Sequence, residues 1–243
     1  MLIDHIGAGL VEYFMRYSMT GSSEIYRHLY YVDRILRGIG RLSFPLFCYL
    51  LVQGFLYTRS RLKYGIRLAA FALLSEVPFD FVFFEGFTME YQNVFWTLLL
   101  GLITLSAIAA VEETCLSRTV REMAAAGAVA SGMLAALLIR TDYSWKGIVM
   151  IAALYLLRKD RVLQCVCTPV LFLTAQFISL AAAGMDPALA LEQAVGQCSV
   201  FLSFFFIYRC NGKRYLRKGK YFFYAFYPAH LLLLLFVRWL LAL

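Results

Sequence analysis

Charge is what this sequence has little of. Only 16% of its 243 residues are Asp, Glu, Lys or Arg, 62% are hydrophobic, and the mean hydropathy is +0.71. A soluble domain of this size carries far more charge on its surface, so a water-soluble body is excluded. Alternating strands are missing too. The apolar runs are long and continuous, which leaves helices rather than a barrel to satisfy the backbone in lipid. The six cysteines, Cys48, Cys115, Cys165, Cys167, Cys198 and Cys210, make no CxxC, and no histidine follows at zinc spacing. They read as small packing residues, with no metal site or disulfide framework. No G-x-S-x-G elbow and no nucleophilic Cys–His setting occurs, which argues against an acyl-enzyme. The basic residues behind the net charge of +8 do not gather on one soluble face, so a nucleic-acid partner is excluded. No repeat or low-complexity stretch stands out. The N-terminal MLIDHIGAGLVEYFM lacks the basic n-region of a cleavable signal.

What is present is a series of apolar runs near the ~20 residues that cross a bilayer. They predict an all-α, polytopic integral membrane bundle in a single domain, 1–243. Nine spans are expected: 1–17, 39–58, 65–84, 93–111, 123–139, 145–157, 162–183, 188–208 and 221–243. The first is short, so either it starts deep in the membrane or upstream turns are missing. The sixth is short as well, and is expected to be tilted, re-entrant or buried among its neighbours. Arg59, Arg61 and Lys63 follow span two, Arg118 and Arg121 span four, and Arg158, Lys159 and Arg161 span six. The 209–220 run RCNGKRYLRKGK follows span eight. The loops after spans three and seven hold Glu85, Glu90, Asp186 and Glu192 but no Lys or Arg. The positive-inside rule then places the N-terminus inside and the C-terminus outside. Residues 18–38 break the pattern, with Arg27, His28, Arg34 and Arg37 on the outer side. Either those charges have a task or the count is off by one span.

Charged groups at membrane depth cost at least ~2.5–3.5 kcal/mol each, and persist when paired or functional. Asp4 and His5 sit in the first span. His5 is a candidate general base with its tautomer fixed by a carboxylate from another helix, or a packed interior histidine. Arg37 and Arg41 share a helix face before LSFPLF, where Pro45 should kink the helix. They either hold an anion or snorkel to the interface. Glu76 and Asp80, also four apart, need cations or protons, and Arg37 and Arg41 are the natural partners. Gln92 and Asn93 open span four as an N-cap and cross-helix hydrogen bonders. Asp142 and Lys146 flank span six as capping and anchoring groups or as pocket residues. Tyr227 and His230 share a face near Pro228, with His230 near the midplane, where a histidine is a functional hypothesis by default. The 209–220 cluster either sets topology, attracts anionic headgroups, or holds the phosphates of a nucleotide-bearing cofactor.

MLIDHIG, IGRLSFPLFCYLLVQGF, RLAAFALLSEVPFD, QNVFWTLLLG, TDYSWKGI, YRCNGKR and KYFFYAFYPAHLLLL run in order through the chain. Together they resemble the TraX family, named for F-pilin acetylation. The sequence departs from that pattern at the front, where members carry further apolar residues before DHIG. The family is similar to the wider membrane acyltransferases, which include the acyltransferase 3 and heparan-glucosaminide N-acetyltransferase groups. The resemblance implies a bacterial cytoplasmic membrane enzyme that moves an acetyl group from cytoplasmic acetyl-CoA to an amine or hydroxyl, directly, with a histidine base. It implies His5 as that base with Asp4 close by, and Arg41, Glu76, Asp80, Gln92 and Asn93 around the pocket. His230 would be a second pocket histidine, and Asn211, Lys213 and Arg214 would lie near the CoA entrance. The acceptor stays open between a peptide N-terminus, a glycan and a small molecule. Two other readings use the same residues: a proton-coupled transporter or flippase, and a non-enzymatic assembly factor.

Overall fold

The computed structural model describes residues 1–17, 23–115, 117–210 and 220–241. The first helix runs as α1 (Leu2–Ile6), a π-helical turn Gly7–Val11, and α2 (Glu12–Tyr17). Then come α3 (Ser23–Gly40), α4 (Ser43–Tyr57), α5 (Arg61–Phe83), α6 (Val94–Glu112) and α7 (Arg118–Ile139). They are followed by α8 (Ser144–Leu156), α9 (Arg161–Ala182), α10 (Pro187–Val195), α11 (Val200–Arg209) and α12 (Lys220–Leu240). No strand occurs among the described residues. The chain is an all-α bundle that is apolar on its outer surface as well as in its core. Leu73, Leu74 and Val77 on α5, Leu138 on α7 and Leu232, Leu233 and Phe236 on α12 all face outward. A surface this apolar is tolerable only against hydrocarbon.

Six stretches are long and apolar enough to cross a membrane: Glu24–Tyr57, Val94–Glu112, Arg118–Ile139, Arg161–Ala182, Pro187–Arg209 and Phe222–Leu240. The expected count of nine is therefore not reached by length and composition among the described residues. The shortfall has identifiable causes. The first span is interrupted by its π turn, and α5 carries Arg67, Glu76 and Asp80 within its apolar part. The sixth is the 13-residue α8. That helix is short because it is interior: Gly147, Ile148 and every residue from 150 to 155 are buried. It packs against α4, α6, α7 and α9. One buried cluster of side chains joins α4, α5, α6, α8, α9, α11 and α12.

Two expectations need correction. Residues 18–38 are not a plain loop, because 23–40 is the helix α3. It packs on the first helix, where small residues permit close approach. A Cβ on Gly40 would overlap the Asp4 side chain, and one on Gly7 would lie 2.9 Å from Asp33 Oδ1. Pro45 does not kink the second span. α3 stops at Gly40, Ser43 Oγ donates to the Gly40 carbonyl at 2.7 Å, and α4 starts at Ser43. Pro45 thus falls in a first turn, where a missing N–H costs nothing. The other helix starts follow capping chemistry. Ser60, Asn93, Asp160 and Asp186 each accept a backbone N–H of the turn they open.

The bundle has two chemically different ends. At one, Arg61 pairs with Glu113 at 3.7 Å and Arg158 with Glu112 at 3.0 Å, and Arg161 donates to the Ile207 and Cys210 carbonyls. At the other, the segment after α5 binds the segment after α7. The Gln92 N–H donates to the Arg140 carbonyl at 3.1 Å and the Asp142 N–H to the Gln92 carbonyl at 2.8 Å.

Candidate functional site

A cavity of about 490 Å³ opens at this second end. It is built from the first helix (Asp4, His5, Ala8, Glu12), the end of α3 with the residue beyond it (Arg37, Arg41), the end of α5 (Phe79, Phe83, Phe84), the loop before α6 (Tyr91), the start of α8 (Asp142, Tyr143, Lys146), and Gln176, Gln193 and Gln197. Gln176 lies 15 residues beyond Arg161 on α9, about 22 Å along the helix at 1.5 Å per residue. The cavity is therefore well separated from the Arg158–Arg161 end.

At its inner wall His5 Nδ1 lies 2.8 Å from His230 Nε2, although 225 residues separate them in sequence. Both rings are buried, with His5 7% exposed and His230 3%. The second nitrogen of His230, Nδ1, is 2.7 Å from the Phe226 carbonyl. A carbonyl only accepts, so His230 Nδ1 carries the proton. In the neutral ring, Nε2 must then accept, which makes His5 Nδ1 the donor and leaves His5 Nε2 with a free lone pair. Tyr227 and Phe83 close the rings edge-on, with centroids 5.7 and 5.2 Å from that of His5. The expected carboxylate partner of His5 is thus replaced by an imidazole.

The cations are unequally neutralised. Arg37 Nη1 binds Asp4 Oδ1 at 3.1 Å, and Arg37 Nε approaches Glu12 Oε1 at 3.7 Å. Arg41 has no ion-pair or hydrogen-bond partner for its side chain among the described residues, and Lys146 Nζ donates only to the neutral Gln176 amide, at 2.7 Å. The start of α8 is held in an unusual backbone. Arg140, Tyr143 and Ser144 have φ of 55°, 61° and 48°, which L-residues adopt at some cost. Tyr143 stacks flat on Phe44 at 3.5 Å, and Thr97 Oγ1 donates to the Asp142 carbonyl. Asp142 Oδ1 accepts the Tyr143 N–H at 3.0 Å. Burial first, and then the Asp4 charge, push the Asp142 carboxyl up to about 6.

The structure thus brings together Asp4, His5, Arg37, Arg41, Asp142 and Lys146 around one space, with His230 and Tyr227 immediately behind it. Asp142 and Lys146 are pocket groups rather than mere anchors. Four expected pocket residues lie elsewhere. Asn93 donates to Glu76 Oε2 at 2.5 Å and to the Ala72 carbonyl at 2.8 Å, and Trp96 Nε1 also donates to Glu76, at 2.8 Å. Asp80 accepts the Thr88 N–H at 3.1 Å, and Gln92 donates its side-chain amide to Met89. These are α5–α6 braces. The expected pairing of Arg37 and Arg41 with Glu76 and Asp80 does not occur, because α3 packs on the first helix and delivers Arg37 to Asp4 and Glu12 instead. Asn211, Lys213 and Arg214 fall outside the described residues. Glu12, Tyr143, Gln176, Gln193 and Gln197 also line the cavity and escape sequence reasoning, although Glu12 and Gln176 are polar groups inside apolar runs and carry that signal.

A narrow apolar cleft of about 10 Å³ is lined by Met1, Phe47, Val94, Phe95, Leu98, Phe223, Phe226 and Tyr227, and the last two pack against the His230 ring. The family described as TraX protein matches this sequence over residues 1–238. A stretch of 78 residues is 36% identical to a probable fimbrial assembly protein FimC, serogroup H1, of Dichelobacter nodosus, covering 29% of this chain and 32% of that relative. The match therefore spans about a third of that curated relative's length. No solved structure matches.

Proposed function

The chain belongs to the TraX family, and we propose that it is a membrane-embedded acetyltransferase whose acceptor enters the cavity beside His5. The observation that carries the reading is the His5–His230 hydrogen bond with its fixed direction. A base must present a lone pair near a space large enough for an acceptor, and His5 belongs both to the pair and to the cavity wall. In the proposed step His5 Nε2 takes the proton of the acceptor amine or hydroxyl. The acceptor nitrogen or oxygen bonds to the acetyl carbonyl carbon, the carbon–sulfur bond breaks, and the leaving CoA sulfur takes the proton from His5. No acyl-enzyme is formed. Arg41 and the Gln176 amide are donors available to a developing oxyanion.

Acetyl-CoA, the proposed donor, would approach from the basic end and would need to reach the histidine pair past Tyr227, where the apolar cleft lies. With basic loops cytoplasmic, this reading has the donor in the cytoplasm of a bacterial cell and the cavity on the far side. The fimbrial name of the relative favours a pilus-type subunit as acceptor. The test uses the full chain in nanodiscs with acetyl-labelled CoA. CoA release coupled to a labelled acetylated amine or hydroxyl is expected, with loss in His5→Ala. A folded protein that neither binds acetyl-CoA nor transfers its acetyl group would refute the proposal.

A further inference from the structure

Four charged side chains of the cavity have an ion pair or a backbone N–H to hold their charge: Asp4 and Glu12 flank Arg37, and Asp142 accepts the Tyr143 N–H. Two do not. Arg41 and Lys146 reach the same space from the α3–α4 turn and from α8, and neither has a carboxylate within ion-pair distance among the described residues. A half-buried guanidinium and ammonium lose hydration, and ordinarily offset that by a paired anion. Arg41 also offers a planar fork suited to a two-oxygen acid. The acid on that wall, Asp142, is beyond ion-pair distance of both and carries one charge against their two.

We propose that Arg41 and Lys146 form an anion-binding subsite, and that the acceptor carries a carboxylate or phosphate close to its reacting amine or hydroxyl. This rests on the acetyltransferase reading only for the word acceptor; the anion site stands or falls by binding. An anion held there, on the wall formed by Arg41 and the start of α8, would hold the nucleophilic end in the same cavity as His5. A soluble anionic acceptor and an anionic lipid headgroup present the same chemistry to this wall.

The test titrates the full chain in phosphatidylcholine nanodiscs with O-phosphoethanolamine and with ethanolamine. Both carry the amine; one carries the phosphate. O-phosphoethanolamine is expected to bind at least ~10-fold more tightly, with that advantage lost in Arg41→Gln and in Lys146→Met and kept in the surface control Glu122→Gln. Because Arg41 makes no ion pair, its replacement removes charge without stranding a carboxylate, and a thermal melt confirms folding. If phosphatidylglycerol in the nanodisc competes, the anion comes from a lipid headgroup; if it does not, it comes from a soluble acceptor. Equal affinity for the two probes, or an unchanged preference in Arg41→Gln, would overturn the subsite. Competition by CoA with O-phosphoethanolamine would move the phosphate to the donor and overturn its assignment to the acceptor. Preferential phosphate binding without acetyl transfer would refute the enzymatic reading and leave the subsite standing.

Discussion

Replacing His230 by Leu should slow acetyl transfer while leaving the protein folded. His230 sits behind His5 rather than in the cavity, and in the proposed chemistry it positions the base. Its Nε2 accepts the His5 Nδ1 proton at 2.8 Å. With that acceptor gone, the buried His5 N–H is unpaired, at a cost of about 1–3 kcal/mol. His5 is then free to hold its proton on Nε2 instead, the atom needed to accept one. At 1.36 kcal/mol per tenfold, kcat should fall about 5- to 150-fold, with KM for the acceptor nearly constant because the cavity wall is intact. His230→Asn, whose amide oxygen can accept, should recover part of the loss. Single-turnover kinetics in nanodiscs across pH 6–9 separates this role from simple destabilisation, which would scale with the folded fraction and not alter the pH profile. A folded His230→Leu protein with a rate within twofold of wild type would show that the imidazole pair does not orient the base.

Asp142→Asn should stabilise the protein at neutral pH. A carboxyl raised from 3.8 to about 6 is protonated more readily in the folded state, so it costs nothing below about pH 4 and costs progressively more as pH rises to about 6. The full shift corresponds to ~3 kcal/mol, and access to cavity water reduces this to about 1–2 kcal/mol. Thermal melts should therefore diverge above pH 6 and coincide near pH 4; divergence at pH 4 would contradict the sign. Gly40→Ala should lower the melting temperature, because the added methyl overlaps Asp4, at ~1–3 kcal/mol for overpacking; an unchanged melt would mean that α3 is not seated on the first helix. Arg238→Leu should destabilise by ~1–3 kcal/mol, since Arg238 Nη1 donates to the Val82 carbonyl at 2.9 Å at the end of α5. A chemical denaturation series with no change in midpoint would refute that role.

The sequence pattern is informative where one physical rule dominates. Long apolar runs mark the bundle, and the short sixth run reads correctly as a candidate for burial. The charges of α3 resemble those of a loop, which hides the helix in the sequence; its packing against the first helix is set by Gly40 and Gly7, whose meaning depends on what lies opposite. Glu76 and Asp80 are expected to meet Arg37 and Arg41 because both pairs fall at the outer side, but a shared side does not fix azimuth, and Arg37 pairs with Asp4 and Glu12 on the first helix instead. His5 and His230 each stand out in the sequence, yet nothing local to either reveals a bond spanning 225 residues. Lys146, just inside the start of α8, reads as an interfacial anchor from the sequence; the cavity it lines is closed by residues of the first helix, α3 and α9 that lie far from it in the chain.

The π turn at Gly7–Val11 sets the phase of the first helix. Asp4, Ala8 and Glu12 all line the cavity at intervals of four, whereas an unbroken α-helix would drift by about 40° at each such step. The wider turn absorbs that drift and keeps Asp4 and Glu12, the two carboxylates that flank Arg37, in a single row. Such turns accommodate one extra residue, so inserting a further residue between Gly7 and Val11, beyond what the turn absorbs, would rotate the two halves by about 100° against each other. The helix would survive, but His5 and the Glu12 side of the Arg37 clamp would no longer address the same space.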